Sequence, residues 1–99
     1  MKQKQIVKEE GTIHKKDEWL FNEYSSLMEL HLTNANLEFD KEDLQSIKII
    51  NDQGNYRLIG EVENERYVLD VNESNIRIQA FKNNEKYFDK MLSNTLNNS

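Results

Sequence analysis

Two histidines, eighteen carboxylates and a knot of aromatic residues near position 20 are the side chains through which this 99-residue chain could do chemistry; cysteine is absent. Without a thiol there is no disulfide, no thiolate nucleophile and no zinc–thiolate site. Neither His14 nor His31 has a second histidine at a metal-binding spacing such as H-x-x-x-H. His31 sits between Leu30 and Leu32 in an alternating run, which puts it on the polar side and predicts a surface position. "DKED" at 40–43 lacks the spacing and the glycine of a calcium loop. Three glycines, Gly11, Gly54 and Gly60, build no phosphate-binding loop and no nucleophile elbow. Carboxylates are numerous enough to supply an acid–base pair, but no spacing marks one. The expectation is a protein that is not an enzyme and uses no metal or cofactor.

Two groups remain as candidates for binding. Trp19, Phe21 and Tyr24 fall within six residues. Tryptophan and tyrosine dominate interface hot spots, yet they are also ordinary core residues, and core is the simpler reading. Three large aromatics so close together do not all face inward from one short element. "EVENE" supplies Glu61, Glu63 and Glu65. On a strand, residues two apart share a face, so these form either an acidic row or the solvated side of a hairpin.

The elements that must position these residues show strand spacing from residue 27 onward. Met28, Leu30 and Leu32 alternate with Glu29, His31 and Thr33; "TNAN" supplies turn residues; Leu37 and Phe39 flank Glu38. That predicts a hairpin of strands 27–32 and 36–40, with the five apolar residues in the core. Asp40 followed by Asp43 marks one capped helical turn with Leu44 pointing inward. Four further strands follow at 46–50, 55–62, 66–71 and 75–81, separated by "NDQGN", "ENE" and "NESN". Gly54 offers the positive φ of a hairpin turn and Gly60 a bulge. Tyr56 and Tyr67 fall on core-facing positions as an expected cross-strand pair. The short gaps exclude a parallel sheet.

The two ends read differently. "QIVKEEGTIHKK" looks like an exposed, interrupted strand, and "DEWLFNEY" reads as a helical turn or as that strand's continuation. In the tail, Tyr87, Phe88, Met91, Leu92 and Leu96 recur at three and four, with Asn83 or Asn84 as a cap, which predicts an amphipathic C-terminal helix. A helix from about Ser74 is the rival to a strand at 75–81; the alternation and two isoleucines favour the strand. The reading is one domain over 1–99, with 1–8 and 97–99 frayed: α+β, mainly antiparallel β, a small β-roll or partly open barrel of six to seven strands.

Charge separates the function classes. Residues 1–16 carry five Lys against two Glu, whereas residues 17–45 carry eight carboxylates against Lys41 alone; the chain totals −5. An acidic domain is repelled by phosphate backbones and anionic lipid heads, so nucleic-acid and membrane partners are disfavoured. The amino terminus has lysines but no apolar core behind them, and no apolar run reaches the length of a membrane span, which predicts a cytoplasmic protein.

"EEG" at 9–11, "LHLTNANLEF" at 30–39, "DLQSIKI" at 43–49 and "RYVLDV" at 66–71 resemble, in that order, segments of bacterial PH-like and GRAM-type domains. The resemblance touches most of residues 9–92 and implies seven strands capped by one C-terminal helix. Ala35 and Asn36 stand where that family often has a basic residue, and the acidic charge departs from its lipid-binding members.

The function expected from these features is a non-enzymatic protein-binding domain: a small inhibitor, an immunity or antitoxin factor, or a phage or mobile-element accessory. Its acidic 17–45 segment would meet a basic surface on another protein. Two alternatives use other chemistry. One is a PH-like membrane-surface or lipid-binding module, with Lys2, Lys4, Lys8, Lys15 and Lys16 as its contact. The other is a DNA-binding accessory of a mobile element. Homodimerisation through an edge strand is a further expectation.

Overall fold

The computed structural model of the chain describes residues 10–52 and 55–93. Leu20, Phe21, Tyr24, Leu27, Met28, Leu32 and Ala35 recur at three and four, and this period decides the first half of the fold. Residues Glu18–Asn34 are one α-helix, α1, not the strand expected at 27–32. Phe21, Tyr24, Met28 and Leu32 are buried on one side, while Trp19 and Leu30 are exposed on the other. The alternation of Met28, Leu30 and Leu32 is therefore only apparent: Met28 and Leu32 lie one turn apart on the same face, and Leu30 points away.

"TNAN" ends the helix instead of turning a hairpin. Asn36 takes a positive φ of 65°. Its N–H donates to the Thr33 carbonyl at 2.9 Å, and the Leu37 N–H donates to the Leu32 carbonyl at 3.0 Å. Those two bonds are the Schellman pattern, with asparagine in the left-handed position usually given to glycine. The segment expected as strand 36–40 is an extended connection without strand pairing. Asp40 then caps a single 3-10 turn, Lys41–Asp43, accepting from the Glu42 N–H at 3.0 Å. Leu44 is fully buried beyond it, as its position after the cap implied.

The rest is a six-stranded antiparallel sheet in simple sequence order: β1 (Glu10–His14), β2 (Ser46–Asp52), β3 (Asn55–Val62), β4 (Glu65–Val71), β5 (Asn75–Lys82) and β6 (Glu85–Ser93). The four central strands lie where alternation places them, and 75–81 is a strand. The turn residue Gly54 lies outside the described residues, as do Leu96 and the ends 1–8 and 97–99 expected to fray. β1 and β6 are edges, so the sheet is open.

The tail is a correction. Residues 85–93 form β6, not a C-terminal helix. Asn83 and Asn84, read as a helix cap, both have positive φ, 53° and 68°. That is the requirement of a two-residue type I′ hairpin turn, which selects asparagine and glycine. The β5–β6 register shifts at Ala80/Phe81, leaving Tyr87 as a bulge. The hairpin and the C-terminal helix that suggested a PH-like layout are thus α1 and β6, and the one long helix lies between the first two strands.

α1 lies across the face formed by Ile13, Ile47, Ile49, Leu58, Leu69, Ile76 and Ile78, all within 2% of full burial. Burying each such side chain is worth about 1.5–3 kcal/mol, so this layer dominates stability. The connection after α1 extends the cover: Phe39 meets Tyr67 edge-on, with ring centroids 5.1 Å apart. Tyr56 and Tyr67 do not pair with each other; they stand opposite Val71 and Gly60. Gly60 is no bulge, since its pairing with Ile47 and Tyr67 is regular.

Candidate functional site

The helix separates the three aromatic candidates. Phe21 and Tyr24 belong to the core, 4% and 1% exposed, and Trp19 stands 68% exposed at the start of α1. Glu23 follows Trp19 by one helical turn on the same side, with Asp17 and Glu18 beside it. Glu18 and Asp17 also suit the positive end of the helix dipole.

The connection brings further carboxylates to this side. Lys41 Nζ donates to Ser26 Oγ at 3.1 Å and Lys15 Nζ to the Glu42 carbonyl at 2.9 Å, which ties the 3-10 turn to α1 and to the β1–α1 corner. A shallow dent there is lined by Lys15, Glu18, Asn22, Ser25, Lys41 and Glu42. Seven of the eight carboxylates of residues 17–45 are exposed, and Glu29 is half-buried. None of the eight forms an ion pair among the described residues.

The opposite face of the sheet contrasts with this. Arg57 meets Asp70 at 2.6 Å, Arg77 meets Asp89 at 2.8 Å, and Lys86 reaches the same Asp89 at 2.9 Å. Hydrogen bonds from Arg77 and then Lys86 hold the Asp89 carboxyl well below the usual carboxylate range. Arg66 lies 4.9 Å above the Phe81 ring. Among the described residues the molecule is therefore polarised: the carboxylates of 17–45 form no ion pair, whereas Asp70 and Asp89 on the outer sheet face are both paired.

Glu61, Glu63 and Glu65 do not form a row. They straddle the β3–β4 turn: Glu61 stands opposite Arg66 on the outer face, Glu63 is in the turn, and Glu65 stands opposite Val62 on the helix-side face. Glu65 accepts a 2.6 Å hydrogen bond from the Tyr67 hydroxyl and lies 3.9 Å from Lys82. Burial and that bond push the Tyr67 hydroxyl up, so it stays protonated. This arrangement braces a hairpin end. The depression lined by Glu61, Glu63, Glu65, Arg66 and Phe81 is open to solvent.

His31 corrects the expected surface position: it is 3% exposed on the buried side of α1. Burial pushes its imidazole below the ordinary value, so it is held neutral. His14 is exposed in β1. No group of three histidine, aspartate or glutamate side chains is arranged to hold a metal ion among the described residues. No helix among them is long and apolar enough to cross a membrane. Of the five lysines considered for lipid contact, Lys15 and Lys16 are exposed; Lys2, Lys4 and Lys8 lie outside the described residues.

No protein-family model, curated protein or solved structure matches this chain. Sequence reasoning singled out Trp19 and the acidic 17–45 segment, but did not foresee that α1 carries Trp19 together with Glu18, Glu23 and Glu29, nor the ionic ladder. Arg57 and Asp70, or Arg77 and Asp89, meet only once the strand register is known.

Proposed function

We propose that the chain is a non-enzymatic protein-binding domain that engages a basic surface of another protein through α1 and the connection after it. Trp19 is the apolar anchor, with Asp17, Glu18 and Glu23 near it in the chain and the 3-10 turn's Glu42 on the adjoining Glu18–Asn22–Ser25 side of the helix. The observation that carries this reading is the exposure of Trp19 amid carboxylates that form no ion pair among the described residues. A tryptophan side chain supplies a large contact area at low conformational cost, and unpaired charge steers a cationic partner toward it. A small acidic domain with such a surface suits the role of an inhibitor, an immunity or antitoxin factor, or a mobile-element accessory protein.

Co-purification from the source cells with three forms of the chain tests the proposal: wild type, Trp19→Ala and the pair Glu18→Lys/Glu23→Lys. All these side chains are exposed, so the fold is expected to tolerate the changes. A basic protein that accompanies the wild type and is lost from both variants supports the reading. Retention by both variants contradicts it.

A further inference from the structure

On the outer face of the sheet, four apolar residues line up obliquely across the four central strands. Ile59 of β3 stands directly opposite Val68 of β4. Ile50 pairs with Arg57, two residues before Ile59, and Phe81 pairs with Arg66, two residues before Val68. Ile50 and Phe81 are therefore the diagonal neighbours of the central pair, within reach of it on the same face. Ile50, Ile59 and Phe81 are half-buried, and Met91 on β6 is 55% exposed. None of these residues belongs to the core beneath the helix.

We infer that this face is the contact surface for a second copy of the chain, packed sheet against sheet about a two-fold axis near Ile59 and Val68. Three observations select that occupant. The first is charge. By register the face carries Lys48, Arg57, Arg66, Arg77 and Lys86 against Glu10, Asp52, Glu61, Asp70 and Asp89, five cations against five anions. On a chain of net charge −5 it is the near-neutral surface. Two copies joined there keep their acidic helix sides at opposite ends. Apolar stripes flanked by internally paired charges are also self-complementary, as a two-fold interface requires.

The second is area. Six strands about 4.8 Å apart, of five to nine residues at about 3.4 Å each, cover roughly 700 Å² per copy, or about 1,400 Å² in the pair. That lies within the range of stable interfaces, about 1,200–2,000 Å². The third is the state of the edges. β6 is an edge of nine residues, but its Lys90 stands opposite Ile78 on the helix-side face and its bulge falls at Tyr87. An inward-pointing charge and a bulge are devices that block strand addition. Association through β6 is thereby disfavoured, β1 offers an edge of only five described residues, and face-to-face packing at about −30° or near 90° is the open route.

Light scattering on the full chain over a concentration series tests the inference, with Ile59→Lys and Met91→Lys as variants. The wild type is expected to approach twice the 11.8 kDa chain mass. Ile59→Lys puts an unpaired charge at the centre of the contact and is expected to raise the dimer dissociation constant more than about tenfold. Met91→Lys alters an exposed side chain and is expected to weaken the dimer less. Because the chain has no cysteine, Ile59→Cys adds an independent readout: mild oxidation is expected to join two copies, whereas Ser26→Cys on the helix side is not. A single-chain mass at every concentration overturns the inference and leaves the face to a different partner. A dimer that both lysine variants retain, or that Ser26→Cys cross-links instead, also overturns it. The test is independent of the acidic-surface proposal, which concerns the other side of the molecule.

Discussion

The terminal methyl of Met28 lies 2.7 Å from the point a Cβ on Gly60 would occupy, and a methyl of Leu44 lies 2.8 Å from it. α1 therefore packs on bare backbone in the middle of β3. The close approach, rather than any special dihedral angle, is what calls for glycine at this position.

Substituting Gly60 measures how tightly helix and sheet meet. Gly60→Val is expected to cost about 2–3 kcal/mol by overpacking the core. Gly60→Ala should cost less, because the flexible end of Met28 can swing aside. Denaturant unfolding of both variants checks the order. Equal stability of Gly60→Val and wild type contradicts the packing described.

His31 makes stability depend on pH. Its folded value is depressed by burial, so above about 6.5, the ordinary value, both folded and unfolded chains hold it neutral and stability is complete. As pH falls below 6.5 the unfolded chain takes up a proton that the folded chain resists, and stability declines until the folded value is reached. Thermal melting at pH 7.5, 6.5 and 5.5 should show a smaller fall for His31→Leu than for wild type. Parallel falls in the two proteins contradict this assignment.

Asp89 shifts in the same direction for a different reason. Its carboxylate is held by Arg77 and Lys86 in the folded chain, so the stability it contributes is present above about 3.9 and lost as pH falls toward the folded value. An NMR titration should place the Asp89 carboxyl below the ordinary carboxylate range. Arg77→Gln should move it back toward the ordinary range; no movement contradicts the ladder.

Asn84 holds a conformation that glycine adopts without strain. Asn84→Gly makes the Asn-Gly pair that type I′ turns prefer, and is expected to stabilise the chain by a few tenths to about 1 kcal/mol. Asn84→Val should destabilise it by more than that. Melting temperatures of the two variants check the β5–β6 turn, and the gain from Asn84→Gly separates it from a helix cap, where glycine in place of asparagine costs a few tenths of a kcal/mol.

The legible and illegible parts of this fold divide along one ambiguity. β2 to β5 were readable because β-branched and aromatic residues alternate there over seven or eight positions between turn residues. α1 and β6 were misread because a spacing of four is same-face in both periods. Met28 and Leu32 fit a strand as well as a helix, and Leu30 completed a false alternation. Phe88 and Leu92 fit a helix as well as a strand, and Lys90 between them belongs to the edge of a sheet. The asparagines were ambiguous in the same way, since a positive φ serves a helix end at Asn36 and a hairpin at Asn83 and Asn84. For the site, the aromatic cluster gave its own hint: three large rings could not all be internal, and the helix leaves Trp19 outside. The acidic character of residues 17–45 was visible in composition. The absence of ion pairs from it among the described residues, against the paired charges of the outer sheet face, needed the structure.

The central claim is that the unpaired carboxylates around Trp19 meet a basic protein surface. The most direct measurement is the affinity for the co-purified partner as ionic strength rises from about 0.05 to 0.5 M, because screening acts over about 10 Å at 0.1 M and shortens further with salt. The account predicts an affinity that weakens steadily across this range and is reduced at every salt concentration by Trp19→Ala. An affinity indifferent to salt, or unaffected by removal of the Trp19 side chain, contradicts it.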